Sequence, residues 1–484
     1  MAVLENCSPS RVFHYFEEIC GIPHGSGNTQ AISDYLVDFA KDHSLAYVQD
    51  DLGNVVIYKN GTAGYEQSPT VILQGHMDMV CEKRADVEHD FLKDGLNLSV
   101  TEDGYVTANG TTLGGDDGIA VAYGLALLES QDIPHPPLEV LITVDEEIGL
   151  LGAMDFDCSV LKGRRLINLD SEAEGSLWVS CAGGMGGYST IPVKRVAGEG
   201  EGIQVRIHGL AGGHSGSEID KNRANSNILM GRMLYEMKKQ ADFAIVSLEG
   251  GTKDNAITRE SRFQVLAASE DVEKIQQLAQ KFQADLRKEY TGTDENITVS
   301  VELLGHMEKE VLHPVSGEKV IFFLMNMPYG VRKMSGSIPG LVETSSNPGI
   351  VVLHKDEFES VSSVRSSVGS AKDALSDKLE YLTEFLGGEY EIQGAYPAWE
   401  YREDSPLRDK MIAAYKAIYK EEPQVVAIHA GLECGLFYEK MEGLDCVSIG
   451  PNMKDIHTSE ELLEVASVER VWKYLLKALE DLKD

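Results

Sequence analysis

Apolar residues recur with a helical period over residues 9–20 and 28–43, then bunch into short unbroken runs at 54–59 and 70–74 (TVILQ). The pattern predicts an apolar helix at 118–129, followed by apolar strands at 138–144 (LEVLITV) and 165–169 (RLINL). Short strands that are apolar on both faces and separated by helices imply a sheet covered on both sides, an α/β domain.

The glycine-dense stretch CAGGMGGY at 181–188 reads as the exit from that domain. The pattern then changes to strand 203–209, helix 222–240, strands 243–248 and 262–268, helix 272–288 and strand 298–304. A second group has a similar order: helix 317–326, strands 349–353 and 358–366, helix 372–385 and strand 389–393, as in a degenerate duplication. From about residue 397 long helices return at 404–420, 431–440 and 466–482, around one apolar strand at 446–449. The expected architecture is a discontinuous α/β domain, 1–185 and 397–484, interrupted by an α+β domain at 186–396.

A chain of 484 residues exceeds one ordinary core, in keeping with this division. Its charge narrows the partners. With 78 acidic against 43 basic residues the formal net charge is -35, a field that repels phosphate backbones and anionic membranes. No nucleic acid and no membrane is expected to bind. The seven cysteines are scattered and form no C-x-x-C pair, so a reducing compartment is expected rather than a disulfide framework. With no visible signal peptide or membrane span, the expected location is the cytoplasm.

Five polar segments follow apolar strands or sit at loop edges: GHMDMV (75–80), LGGDDG (113–118), VDEEIG (144–149), NLDSE (168–172) and DIHTSEE (455–461). Ligand sites of open α/β sheets lie outside the carboxyl ends of strands, where most of these segments fall. His76 and Asp78, two apart beyond a strand end, point the same way, so the carboxylate can orient the imidazole through its second nitrogen. Charge counting then assigns two divalent cations: Asp116, Glu147 and Asp170 supply three negative charges and a bridging hydroxide the fourth. His76 and His457 complete the shells as neutral ligands, with Asp116 shared. Imidazole mixed with carboxylate suits zinc, with cobalt or manganese as substitutes. Glu146 diverges from its neighbour Glu147 and is the expected general base, taking a proton from the metal-bound water and returning it to the leaving amine.

These segments, in this order, resemble the co-catalytic two-zinc peptidases that include the aminoacyl-histidine dipeptidases (cytosol non-specific dipeptidases), carboxypeptidase G2 and peptidase T, and are most like the first. The resemblance implies the same ligands and base, with Asp78 supporting His76. It makes the inserted domain a lid, in which GGHSG (212–216) places His214 on the oxyanion. Asn255 of GTKDNAI and Arg365 of SSVRSS resemble residues that hold substrate polar groups, Arg365 being suited to a free carboxylate. HAGLECGLF (429–437) resembles a substrate-pocket loop, with His429 in it and Glu433 a candidate for the substrate's amino group. A homodimer is also implied. The function expected is hydrolysis of dipeptides, including carnosine-type Xaa-His. The alternatives are an N-acyl amino-acid deacylase, a tripeptidase, or a metal-binding protein without turnover.

Overall fold

The structure is a computed structural model that describes residues 2–484. The chain forms two compact units. One comprises the chain up to Cys181 with Tyr401–Ala427 and Leu432–Asp484; the other comprises Ala182–Glu400 with Ile428–Gly431.

The first unit is built on an 8-stranded sheet. Its order is Ala46–Gln49, Val55–Lys59, Leu138–Thr143, Val71–His76, Arg165–Asn168, Asp445–Ser448, Ser176–Cys181 and Gln424–Ile428. Val71–His76 runs parallel to both of its neighbours, and Asp445–Ser448 parallel to Arg165–Asn168. The flanking pairs are antiparallel. Val71–His76 and Leu138–Thr143 are buried along their whole length, as mostly apolar strands covered on both faces must be.

Helix Gly115–Glu129 packs on Val71–His76 and against helix Ser10–Cys20. It is apolar all round, and Ile119, Val121, Leu125, Leu127 and Leu128 are enclosed. Burying each such side chain contributes about 1.5–3 kcal/mol, so the helix is pinned to the sheet along its length. Its last carbonyls are satisfied locally. Lys59 Nζ and Ser130 Oγ both donate to Leu127 O, each at 2.7 Å. A helix fixed this firmly anchors the non-helical step at Asp116 and Asp117, which lies at its start beside the strand ends.

The second unit contains a 9-stranded sheet. Along it run Thr298–Leu312, Arg195–His208, Ser261–Ala267, Phe243–Gly250, Val342–Leu353, Glu357–Ser366, Gly183–Pro192 and Glu389–Tyr396, with Gly330–Met334 paired to Val342–Leu353. The four strands on either side of the middle follow one chain order. Within each group the last strand lies at the edge, then the first, the third and the second, in the β-α-β-β-α-β pattern. The group Arg195–Leu312 is nested inside the other.

The glycine run does lead out of the first unit, whose first segment ends at Cys181, and it continues as strand Gly183–Pro192 of the second, hydrogen-bonded on both sides. Glycine weakens strand propensity, but here neighbouring aromatic rings fill the vacant space. A Cβ on Gly184 would meet the Tyr396 hydroxyl at 2.4 Å, and one on Gly187 the Tyr390 hydroxyl at 2.3 Å. Propensity reads the residue by itself; the rings lie some two hundred positions further along. Short strands at 46–49, 98–100, 105–108, 176–181 and 424–428 also carried no legible apolar run.

Candidate active site

His76 is the last residue of strand Val71–His76 and its side chain is 1% exposed. Burial alone would lower its imidazole, but Asp116, Asp170 and Asp78 outweigh it and hold the ring well above its ordinary value. Its two nitrogens face different ways. Nε2 lies 3.2 Å from Asp116 Oδ1 and 3.6 Å from Asp170 Oδ1. Nδ1 lies 3.0 Å from the Asp78 carbonyl and 3.4 Å from Asp78 Oδ1. The backbone carbonyl, as well as the expected carboxylate, therefore orients the ring.

Asp78 has a further task. Its Oδ1 accepts from Glu146 N at 3.0 Å, and its Oδ2 from Ser26 Oγ at 2.8 Å and Glu147 N at 3.4 Å. One buried carboxylate thus ties the His76 strand end to the turn that follows Leu138–Thr143. That turn begins at Asp145, whose φ of 53° is left-handed and whose Oδ1 accepts from Gly27 N at 2.7 Å.

Asp116 stands between two imidazoles. Oδ1 faces His76 Nε2, while Oδ2 lies 3.2 Å from His457 Nε2. The imidazoles outweigh burial and hold this carboxyl well below its ordinary range. Asp170, two residues beyond strand Arg165–Asn168, goes the other way. Burial, helped by Asp116 and Glu147, pushes it up to about 6 against the pull of His76. Glu147 Oε1 is 3.0 Å from His457 Nε2, yet it is buried and makes no aligned hydrogen bond. His457, with a left-handed φ of 59°, keeps 45% of its side chain exposed. Asp116 and Glu147 push it up to about 11.

Among the described residues, three sets of side chains offer ligand atoms within 4.8 Å of one another: His76, Asp116 and Asp170; Asp116, Glu147 and His457; and His76, Glu146 and Glu147. Asp116 belongs to the first two, as a shared ligand must. The third set brings in Glu146, where burial and the neighbouring Asp170, Glu433 and Glu147 raise the carboxyl well above its usual value, with His76 opposing. Asp117 lies in the same cluster, fully buried. It accepts from His76 N at 3.2 Å, and burial holds its carboxyl well above the usual range. Buried carboxylates at this density, faced by His76 and His457, are the environment that binds cations.

Asp117 and Glu461 are site residues that sequence reasoning left without a role, although both stood inside the quoted segments. Glu461 is 2% exposed and its carboxylate accepts from the backbone of residues 113–116. Ser26 had no motif to mark it. Glu433 is enclosed. Its side chain is fully buried, its Oε2 accepts from Thr143 Oγ1 at 2.8 Å and from Gln74 Nε2, and burial pushes it up to about 7. Its Oε1 is buried with no hydrogen-bond partner among the described residues.

The second unit gathers its own polar cluster. Strand Gly213–His214 pairs with Ala256–Ile257, and Ser215 N donates to Asn255 O at 2.9 Å, which places exposed Asn255 beside His214. His214 Nδ1 accepts from Ser217 N at 3.1 Å, so the ring proton sits on Nε2. Burial and Arg365 lower His214. Arg365 donates to the Tyr396 hydroxyl at 2.8 Å, while its Nε is buried with no hydrogen-bond partner among the described residues. His429 Nε2 meets Ser345 Oγ at 2.7 Å, and burial with Arg365 lowers the ring to about 3, so it is neutral.

The profile of peptidase family M20/M25/M40 matches residues 72–481. The chain belongs to peptidase family M20/M25/M40. The peptidase is 35% identical, over 100% of its length and 99% of the relative's, to the cytosol non-specific dipeptidase of Escherichia coli (strain K12). Its fold matches the crystal structure of aminoacylhistidine dipeptidase from Vibrio alginolyticus with a TM-score of 0.92 and 36% identity, covering 99% of this chain and 97% of that one. Aminopeptidase PepT from Bacillus cereus shares the fold at a TM-score of 0.56 and 15% identity, over 99% and 100% of the two chains. Among the described residues no helix is long and apolar enough to cross a membrane.

Proposed function

We propose that the peptidase hydrolyses dipeptides at a pair of divalent cations, zinc by preference, and that it works in the cytoplasm like its Escherichia coli relative. The observation that carries this reading is the Asp116 carboxylate, one oxygen turned to His76 and the other to His457. His76 and Asp170 would complete one cation's shell, Glu147 and His457 the other's. The donor set fits. It mixes imidazole with carboxylate, and Glu147 Oε1 is a buried oxygen that lies 3.0 Å from His457 Nε2 without making an aligned hydrogen bond. When bound, such cations supply the positive charge that makes water nucleophilic near neutral pH and polarises a carbonyl.

The chain's own residues do the rest. Glu146 takes the proton of the attacking water and hands it to the leaving nitrogen, a task suited to a carboxylate that stands beside His76 and Glu147. Asp78 keeps that turn in register with His76 through its bonds to Glu146 N and Glu147 N. In the second unit, His214, neutral and protonated on Nε2, is proposed as the hydrogen-bond donor to the oxyanion. Arg365, with a buried unpartnered Nε, is proposed to receive the substrate's free carboxylate. Asn255 and His429 are proposed to hold its other polar groups.

A substrate panel tests the reading. Free dipeptides, Xaa-His included, are expected to turn over, with dipeptide amides showing raised KM and tripeptides and N-acetyl amino acids hydrolysed poorly. Turnover of N-acetyl amino acids without turnover of dipeptides would replace dipeptidase with deacylase. The same panel run on His214→Ala should show a fall in kcat larger than the rise in KM. A change confined to KM would make His214 a binding residue only.

A further inference from the structure

We propose that Glu461 is a positioning residue that locks the loop bearing His457 to the loop bearing Asp116, and so sets the affinity of the Asp116–Glu147–His457 cation position. The proposal rests on the reading of these side chains as ligands. Its ground is a four-fold contact. Glu461 Oε2 accepts from Leu113 N at 2.7 Å and Gly114 N at 3.1 Å, while Oε1 accepts from Gly115 N at 2.8 Å and Asp116 N at 3.4 Å. The last of these is the backbone of the shared carboxylate itself.

The other end of the clamp is equally fixed. Glu461 lies four positions beyond His457, its own N donates to Thr458 O at 3.3 Å, and its carbonyl accepts from Thr107 Oγ1 at 3.0 Å. Thr458 in turn donates through Oγ1 to Asp455 O at 2.7 Å, so the short segment that turns His457 toward Asp116 is tied at both ends.

The glycines of LGGDDG fit the same device. Gly114 has φ +66°, where a side chain would be strained, and a Cβ on Gly115 would stand 3.2 Å from Glu461 Oε1 and 3.3 Å from Met453 Sδ. A carboxylate can approach four consecutive amides only where the backbone is this bare. Two motifs more than three hundred residues apart in sequence are thereby halves of one clamp. Because its partners are backbone amides beside a ligand and not the cation, Glu461 acts through Asp116 and His457. Residues of this kind typically change metal affinity by about 10- to 100-fold when removed.

Equilibrium dialysis of the purified full chain against zinc decides the matter, with circular dichroism and thermal melting as folding controls. Wild type is expected to take up two equivalents. E461Q, which puts an amide donor among the loop's N–H groups, is expected to bind the equivalent held by Glu147 and His457 about 10- to 100-fold more weakly, and the other, which shares only Asp116 with the clamp, more weakly by a smaller factor. Gly115→Ala, which displaces the carboxylate by a few tenths of an ångström, should weaken the same equivalent by a smaller factor; it carries the test if E461Q does not fold. Folded E461Q or Gly115→Ala binding both equivalents with wild-type constants would overturn the clamp while leaving the metal centre intact. Wild type that binds no zinc would overturn the metal centre, and the clamp with it.

Discussion

Glu146→Gln is expected to retain both metal equivalents and to lose kcat by about 10²- to 10⁴-fold, the usual contribution of a positioned general base. The substitution keeps the size and shape of the side chain and removes its capacity to accept and return a proton. The contact that fixes the turn, Glu146 N to Asp78 Oδ1 at 3.0 Å, belongs to the backbone and survives. What makes the outcome informative is that Glu146 also lies within ligand reach of His76 and Glu147. A ligand and a base fail differently. If Glu146 held a cation, the variant would lose metal together with activity. Full metal with collapsed kcat assigns the proton to Glu146, and unchanged kcat removes it from the mechanism.

Asp116→Asn should be the most damaging single change among the ligands. Each oxygen of this carboxylate faces a different imidazole, so one residue serves both cation positions. An asparagine of the same shape carries no charge and turns an amide N–H₂ toward one of them. We expect no more than one metal equivalent to remain and activity to fall at least about 1000-fold, the counterpart of losing several kcal/mol of charge stabilisation in the transition state. The measurement is metal content by elemental analysis alongside kcat/KM. Two equivalents with wild-type turnover would show that Asp116 is not shared.

The candidate ligands His76, Glu147 and Asp170 were legible because each lies at or just past the end of an apolar strand. Val71–His76, Leu138–Thr143 and Arg165–Asn168 are rich in apolar residues, and charged residues follow closely past their ends. The helix behind them was legible for the same reason, being apolar all round. What stayed hidden depends on partners far along the chain. CAGGMGGY reads as the exit from the first domain, but that it forms a strand depends on the rings of Tyr390 and Tyr396, which fill its empty faces. Glu433 stands out in HAGLECGLF, but its contacts with Thr143 and Gln74 do not. Glu461 was in plain view within DIHTSEE, but its significance lies in amides at 113–116 that no spacing rule connects to it. Periodicity and short motifs report on neighbours in sequence; long-range hydrogen bonds leave no such trace.

Elemental analysis of the purified, active chain, followed by chelation, bears most directly on the claim that these distant carboxylates and imidazoles converge on cations. The expected result is two equivalents of a divalent metal per chain, loss of dipeptide turnover when a chelator removes them, and recovery when zinc is returned. Active protein without divalent metal, or turnover that persists undiminished in the chelator, would contradict it.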